Sequence, residues 1–343
     1  YIDSDGKIWM FYARADTLHS RAEGDVDDES YMIYFKTSTD GISWTSSNLL
    51  NKTRPANFNQ RDLSVMKDSA GSLWVFASSG DSGSVRPLIK YKSDNGGLTW
   101  TDAASCTIPG LPTDGGALGG SRLGHSHVTY ANGKFHAVLQ ASGGSVIYYS
   151  NSTDAVTWST AVTIYGSAHY VPKIWVDTDG TLYVVTVQGS AGKVWLAKST
   201  NNGSSWTTAH VLGNEGSWSD WDPYIVRIAS GLMLLIWAPN VGSDGQQLKM
   251  STSADNGVTW TTPVDFTPGR SATDEWWDYW PQIVPSSLGT MIFYTSERTR
   301  FSAELNGGNI WIFGPVLPPQ REEPKIFDTG RNVYNGMIVD RIG

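Results

Sequence analysis

Carboxylates, histidines and aromatic residues recur in short stretches that precede several apolar, strand-like runs of this sequence. Two carboxylates on either side of a glycosidic bond can hydrolyse it, one as general acid and the other as nucleophile or base. Each candidate acid lies at the start or end of a different strand-like run, so the four could converge in a fold that gathers those runs. The catalytic candidates are Asp62, Asp222, Asp278 and Glu297.

A second set of residues in the same stretches could hold a sugar. Aromatic rings cover the apolar faces of pyranoses, and planar Arg groups bind hydroxyls and carboxylates. The substrate-binding candidates are Arg14, Arg61, Arg122, His125, His127, His169, Tyr170, Trp221, Trp277 and Tyr279. In the competing interpretation, Asp222 caps a loop before Pro223, and Trp276 and Trp280 are packing residues.

The histidines allow other chemistry. His125 and His127 alternate on one strand face, and with His169 they could hold a metal such as zinc. A histidine with Tyr170 could instead serve as base and acid in a lyase, with Arg122 neutralising a uronate carboxylate. Nothing in the spacing demands either role, and hydrogen-bonded structural histidines are the favoured interpretation. We therefore expect no metal and no cofactor.

One pattern recurs five times, with its terminal tryptophans about 50 residues apart, within the period range of propeller repeats. Each copy runs from Ser through Asp or Asn, usually with Gly, to Trp. In this turn Asp or Asn folds onto backbone N–H groups and Gly accepts a positive φ. The Trp then begins the next strand and packs between sheets. We interpret these acids as structural. The five copies are Ser38–Trp44, Ser93–Trp100, Ser152–Trp158, Ser199–Trp206 and Ser253–Trp260.

The strand-like runs between these turns predict the fold. Each unit has a strand, a turn, two further strands, then the Asp-containing turn and a last strand. The sequence therefore predicts one all-β domain over residues 1–343, a six-bladed β-propeller of four-stranded antiparallel blades with Asp-box turns. The sixth unit lacks the box and the first lacks its innermost strand, so we expect a C-terminal strand such as Gly336–Val339, or residues outside this chain, to close the ring. The approximate blades are 1–50, 60–106, 122–164, 170–212, 221–266 and 279–343.

These turns and this strand order resemble the sialidase superfamily, the Asp-box or BNR-repeat proteins. The resemblance covers nearly the whole chain and implies the fold rather than one activity, because the fold hosts several functions. Exo-sialidases of the family have an Arg-Ile-Pro signature, an arginine triad, an acid/base Asp and a Tyr–Glu pair. Here Arg61-Asp62-Leu63-Ser64 stands in the signature's place, so Arg61 matches while Ile and Pro are missing. That departure argues against sialic acid cleavage.

Composition excludes several classes of protein. The formal net charge is −8, which disfavours a nucleic-acid partner. Cys106 is the single cysteine, so no internal disulfide can form. No apolar run approaches the roughly 20 residues of a transmembrane helix. The chain begins at Tyr1 without Met or a signal peptide, which favours a processed precursor or a piece of a larger secreted or surface protein.

We therefore expect an extracellular or cell-surface protein whose partner is an oligo- or polysaccharide. The leading hypothesis is a glycoside hydrolase acting at the propeller mouth through paired carboxylates. The first alternative is a non-catalytic surface module that binds a glycan or a protein. The second is a polysaccharide lyase that acts on a uronate polymer.

Overall fold

The computed structural model describes residues 1–3, 5–15, 31–41, 43–50, 59–80, 88–111, 125–141, 146–166, 168–189, 193–212, 221–228, 231–239, 247–267, 278–286, 289–296 and 309–313. Within these ranges the regular structure is entirely β, in antiparallel sheets. No helix long and apolar enough to cross a membrane occurs in the described ranges.

The first three sheets follow one another along the chain. The first has strands β1 (Ile8–Ala15), β2 (Tyr31–Ser38) and β3 (Asn48–Leu49). The second has β4 (Asn59–Lys67), β5 (Leu73–Gly80), β6 (Leu88–Ser93) and β7 (Ala104–Ser105). The third has β8 (Ser126–Ala131), β9 (Lys134–Ala141), β10 (Val146–Ser152) and β11 (Val162–Tyr165).

The remaining three sheets repeat this order. The fourth has β12 (His169–Val176), β13 (Leu182–Gln188), β14 (Lys193–Ser199) and β15 (Thr207–Leu212). The fifth has β16 (Trp221–Arg227), β17 (Met233–Ala238), β18 (Lys249–Ser253) and β19 (Val264–Asp265). The sixth has β20 (Asp278–Ser286), β21 (Gly289–Ser296) and β22 (Asn309–Phe313).

The architecture is a propeller of four-stranded antiparallel blades, as predicted in its coarse features. The predicted count of six four-stranded blades is not confirmed, because in the described residues only the second to fifth sheets have four strands. In the first sheet β2 leads directly into the first box turn, so its three strands correspond to the second, third and fourth strands of the complete blades. The predicted closing strand Gly336–Val339 lies outside the described residues.

Apolar clusters fill the spaces between consecutive sheets. The second strands are covered on both faces, and Met233–Ala238 is therefore buried at every position. One cluster joins Phe76 of the second sheet to Phe135 of the third, with ring centroids 5.7 Å apart. Another contains Met10 of the first sheet and Met291 of the last, so these two sheets are also in contact. Burial on two faces of every sheet is the main stabilisation of this architecture.

The tryptophans that end the box turns pack against the preceding sheet, as the sequence predicted. Trp158 meets Phe76 edge-on at 6.3 Å, and Trp206 meets Tyr149 at 5.3 Å. Trp44 joins the cluster that links the first sheet to the last. Each turn therefore places an aromatic ring in the seam between two sheets.

The box turns are held by the hydrogen bonds that their residue types predict. The Asp154 carboxylate accepts from the backbone N–H of Thr157 (2.7 Å) and of Val156 (2.8 Å), and these bonds lower its pKa to about 2. In the fourth sheet Asn201 accepts from the N–H of Ser205 at 3.0 Å. Asp and Asn therefore accept the same kind of backbone hydrogen bond in these turns. These side chains belong to the turn and not to a reactive site.

The strand directions separate the box turns from the opposite end of the propeller. Each first strand runs towards the end that carries the box turns, because the second strand returns and the third runs back to the turn. The first strands of the second to sixth sheets contact one another in order around the centre. Residues at their starts, including Asp62, Asp222 and Asp278, therefore lie at the end away from the boxes, which we call the mouth.

Two glycines with positive φ test how tightly the box turns pack. A Cβ on Gly203 (φ 82°) would overlap the ring of Tyr149, whereas a Cβ on Gly96 (φ 68°) would meet nothing within 4 Å. Gly96→Ala should cost only the backbone strain, about 1–2 kcal/mol. Gly203→Ala should cost a further 1–3 kcal/mol of overpacking. Urea unfolding midpoints measure both, and equal losses would contradict the packing described between the third and fourth sheets.

Candidate active site at the propeller mouth

A bulge near the start of the first strand recurs in four sheets. In each, one extra residue breaks the pairing, for example between Arg61, opposite Ser78, and Ser64, opposite Phe76. The same shift occurs in β12, β16 and β20. In each sheet the residue that follows the last strand pair before the bulge has a φ near +50°. These residues are Asp62 (φ 50°), Val171 (51°), Asp222 (51°) and Trp280 (54°).

The bulge of the second sheet lies where the sequence departs from the Arg-Ile-Pro signature, at Arg61-Asp62-Leu63. Register places Arg61-Asp62-Leu63 level with Tyr170-Val171-Pro172, Trp221-Asp222-Pro223 and Tyr279-Trp280-Pro281. Bulges bend a strand and re-aim its side chains, and they are common beside active sites. Asp62 therefore takes the position that Val171 and Trp280 occupy in their sheets, and two of the four positions carry carboxylates.

Asp62 is held by two polar neighbours. Its Oδ1 lies 3.1 Å from Nδ1 of His125, and its Oδ2 accepts a hydrogen bond from Ser78 Oγ at 2.9 Å. Both side chains of the Asp62–His125 pair are 17% exposed. The His125 Nε2 is buried and has no hydrogen-bond partner among the described residues. Asp62 is thus fixed in orientation while one edge of the pair still reaches solvent.

Asp222 is buried at 7% exposure, at the bulge of β16. The backbone N–H of Trp280 in the next sheet donates a hydrogen bond to its carboxylate. Burial raises its pKa to about 6, the negative charge of Asp62 adds to the rise, and Lys173 and His125 oppose it. The group is therefore poised to be protonated in mildly acid solution.

The pKa of Asp62 moves in the other direction. Burial alone would raise it, but the charge and hydrogen bond of His125, the charge of Lys173 and the hydrogen bond from Ser78 lower it below its ordinary value. Two carboxylates within one electrostatic cluster consequently favour opposite protonation states. Such separation by environment is how enzymes divide acid and base roles between two carboxyl groups.

Lys173 is a further charged residue of this cluster, and it is not among the residues predicted from the sequence. It is 8% exposed, lies just after the bulge of β12, and acts electrostatically on Asp62, Asp222 and His127. A buried ammonium is costly unless an opposite charge lies near it; ionised Asp62 provides that charge, and Asp222 adds to it above about pH 6. A signal was present, because this Lys interrupts the otherwise apolar run Val171–Val176 of a first strand.

Side chains just after the bulges link neighbouring first strands. Ser64 Oγ accepts from the backbone N–H of Val128 at 3.0 Å, and His127 Nδ1 accepts from the N–H of Ile174 at 3.3 Å. His127 Nε2 lies 3.4 Å from the Tyr224 hydroxyl. Burial, together with the charge of Lys173, holds the pKa of His127 well below its ordinary value. This histidine joins three sheets and is 5% exposed.

His169 and Tyr170 lie at the start of β12. The His169 ring stacks on Tyr165 with centroids 4.0 Å apart and meets Trp195 edge-on at 5.6 Å. Burial lowers its pKa to about 4. The Tyr170 ring lies over Gly189, where a Cβ would come within 3.2 Å of three ring atoms. Neither residue has a described contact with Asp62 or Asp222.

The remaining predicted residues divide into three groups. Asp278 is fully buried, two residues before Trp280 in β20. Glu297, Arg122 and Trp277 lie outside the described residues. The backbone alone is described at Arg14, Arg61, Trp221 and Tyr279.

The histidines do not form a metal site in the described part of the chain. No group of three or more His, Cys, Asp or Glu side chains there could hold a metal ion. His127 already uses its two nitrogens within the protein, and His169 is enclosed by aromatic rings.

No protein-family model matches this sequence, and no curated protein matches it. Several solved structures are similar to this chain in fold. One is a protein of unknown function from Dyadobacter fermentans (TM-score 0.63, 12% identity, 86% of this chain and 88% of that one). Another is the Hadza microbial sialidase Hz136 (TM-score 0.59, 16% identity, 86% of this chain), of whose length the chain spans 61%. A thermostable family-43 glycoside hydrolase is also similar (TM-score 0.52, 14% identity, 80% of this chain and 98% of that one). At these identities the likeness shows the fold, an all-β propeller.

The shifted pKa of Asp222 has a consequence for stability. Its folded pKa of about 6 lies above its ordinary value of 3.8, so the stabilisation that its protonated form provides is fully present below about pH 4 and is lost as pH rises through 6. Asp222→Asn should therefore raise the free energy of unfolding by about 2–3 kcal/mol at pH 8 and leave it nearly unchanged at pH 4. Denaturant titration at the two pH values measures this.

Asp177→Asn provides the control of opposite sign. Asp177 is 4% exposed and binds Arg227 at 2.6 Å, so its substitution should lower stability at pH 8. A stability gain for Asp222→Asn that is equal at both pH values would contradict the raised pKa.

Proposed function

We propose that this chain is a carbohydrate-active protein, a glycoside hydrolase that acts at the propeller mouth. Asp222 is the general acid, and Asp62 is the nucleophile or base. The single observation that carries the proposal is the placement of two carboxylates, Asp62 and Asp222, at the same bulge position of two first strands that line the centre. The directions of their pKa shifts agree with it. The pKa of Asp222 is raised to about 6, while the pKa of Asp62 is lowered below its ordinary value.

The chemistry follows from those protonation states. Asp222 gives its proton to the glycosidic oxygen as the bond from that oxygen to the anomeric carbon breaks, and the leaving sugar departs as an alcohol. Asp62 supplies an electron pair to the electron-poor anomeric carbon, either directly or by removing a proton from an attacking water. The stereochemistry of the product distinguishes these two routes.

Neighbouring groups keep each carboxylate in its role. His125 and Ser78 hold Asp62 by hydrogen bonds, which favour its ionised form. The positive charge of Lys173 favours the ionised form of both acids. At Asp222 the effect of burial on the pKa is larger than the effect of that charge. At Asp62 it is not, because His125 contacts this carboxylate directly. We assign Lys173 and His125 as positioning residues.

The solved structures bear on the substrate of this site. The solved structures with this fold include one named a sialidase and one named a family-43 glycoside hydrolase, which favours a saccharide partner. An extracellular or cell-surface location agrees with such a partner. Asp278 and Glu297 remain proposed acids, and the predicted arginines and aromatic residues remain proposed substrate contacts.

Loss of either acid tests the assignment. We expect the wild-type protein to release reducing ends from at least one member of a panel of neutral, sialylated and uronate-containing glycans. Asp222→Asn and Asp62→Asn should each lower kcat/KM by about 100-fold or more, because general acid–base catalysis contributes roughly that much. Asp102→Asn, an exposed carboxylate outside the cluster, serves as the control and should retain activity.

Other outcomes of the same assay select the alternatives. Ultraviolet absorbance of an unsaturated uronate, without hydrolysis, would identify a lyase and direct attention to His125, His169 and Tyr170. Folded protein that binds glycans and cleaves none would identify a binding module. Full activity in both Asn variants would overturn the roles of Asp62 and Asp222.

The pH profile tests Lys173. Hydrolysis should require protonated Asp222 and ionised Asp62, so kcat/KM should fall tenfold for each pH unit above about 6. Lys173→Met removes a charge that lowers both pKa values, so both limbs of the profile should move to higher pH by about one pH unit. Lys92→Met, which removes a lysine paired with Asp94 beside a box turn, should leave the limbs in place. Unmoved limbs in Lys173→Met would contradict its proposed role.

A further inference from the structure

Lys173 carries a buried side chain whose charged group is not bonded to any described residue. The residue is 8% exposed, and its charge acts on the carboxylates of Asp62 and Asp222. In the described part of the chain, however, its ammonium group makes no hydrogen bond and no ion pair. An ammonium group has three N–H donors and no acceptor. These donors are therefore available to a ligand.

The tip of this side chain reaches solvent although its stem is buried. The fully enclosed polar atoms that lack a partner among the described residues include Nε2 of His125 but not Nζ of Lys173. Since Nζ also has no partner there, it is not fully enclosed. Lysine commonly occupies such a site with its methylene groups buried and its charge in water.

The neighbouring strands place this ammonium group in the central space between the two proposed acids. β12 lies between β8 and β16, and neither belongs to the first or the last sheet, so the incomplete first sheet is not its neighbour. Asp222 lies on β16, on one side of β12, whereas Asp62 lies on β4, beyond β8 on the other side. A single ammonium group that acts on both carboxylates therefore lies towards the space that a substrate of these acids would occupy.

The charges around Lys173 favour a neutral ligand. Below about pH 6 Asp222 is protonated, so ionised Asp62 is the carboxylate that balances the ammonium group. A carboxylate on the ligand would add a second negative charge to this pair and would be repelled by Asp62. A sugar hydroxyl adds no charge, and it is able to accept a hydrogen bond from the ammonium group while it donates one to a carboxylate.

We propose that Lys173 donates a hydrogen bond to one hydroxyl of a neutral sugar at the mouth, and that this contact favours neutral over acidic sugars. The hydroxyl accepts from Nζ and donates to ionised Asp62, so the ammonium group gains a hydrogen-bond partner. This inference rests on the proposed function. It adds a direct substrate contact and a substrate class to the electrostatic role of Lys173.

The contact is tested by combining a change in the protein with a change in the sugar. The probes are p-nitrophenyl glycosides of glucose, galactose, xylose and arabinofuranose, and p-nitrophenyl glucuronide is the acidic counterpart of the glucoside. Binding is measured by calorimetry in the Asp222→Asn background, which prevents turnover and removes the titration of this acid. In the neutral glycoside that binds best, each sugar hydroxyl is then replaced by hydrogen in turn.

We expect one deoxy glycoside to bind about 10-fold to 100-fold more weakly than its parent, because a hydrogen bond to a charged group contributes roughly that much. Lys173→Met removes the donor and should weaken binding of the parent by a similar factor. In this variant the same deoxygenation should weaken binding by about twofold or less. Lys92→Met, the same substitution beside a box turn, should bind like the background protein.

Lys173→Gln keeps a neutral donor and should bind the parent with intermediate affinity, because hydrogen bonds from charged donors are stronger. It takes the place of Lys173→Met in the comparison if that variant does not fold.

The outcomes separate this inference from the proposed function. Equal losses on deoxygenation with and without Lys173, at every hydroxyl, overturn the contact alone. Tighter binding of the glucuronide than of the glucoside, lost in Lys173→Met, shows that the ammonium group binds a carboxylate and overturns the neutral substrate class. The expected coupling in a protein that cleaves none of these glycosides overturns the hydrolase alone. Neither binding nor cleavage of any probe overturns both.

Discussion

A twisted sheet with two apolar faces must be covered on both, and the rest of this molecule depends on that requirement. The clusters between sheets meet it, and the ring in each box turn completes a seam that strands alone leave open. Trp158 belongs to the third sheet by sequence but packs on Phe76 of the second. The contact of Met10 with the cluster that holds Met291 extends the same arrangement from the last sheet to the first. Each sheet is therefore positioned by its neighbours.

The same requirement concentrates polar chemistry at the centre. First strands that contact one another have few solvent-facing atoms, so their polar groups must find partners within the protein. Ser64 and His127 accept backbone N–H groups from the next sheet. Lys173, Asp62 and Asp222 balance one another's charge in the same region. The pKa values of Asp62 and Asp222 shift in opposite directions because burial has the larger effect on Asp222 and neighbouring charges and hydrogen bonds have the larger effect on Asp62.

Local features of the fold were predictable, whereas the relation between sheets was not. The Asp, Asn, Gly and Trp residues of the boxes determine a turn by contacts within a few residues, so the turns and the strands that flank them were predicted from sequence. The bulges depend on pairing with the second strand, and no local pattern predicted Asp62 at the position of Trp280. His127 stays a predicted substrate contact, and its bonds to Ile174 and Tyr224, which come from two other sheets, follow from no local pattern. Lys173 was overlooked because its partners are distant in sequence.

The repeated bulge gives this architecture a set of interchangeable positions. Each bulge fixes the backbone path through pairing and positive φ, while the side chain that it carries differs from sheet to sheet. Asp, Val and Trp all occur at this position in one chain, with exposures from 1% to 57%. A substitution at such a position can therefore alter the charge or shape of the mouth without changing the backbone path of the first strand. A scaffold of this kind can diversify its chemistry at a small cost in folding stability.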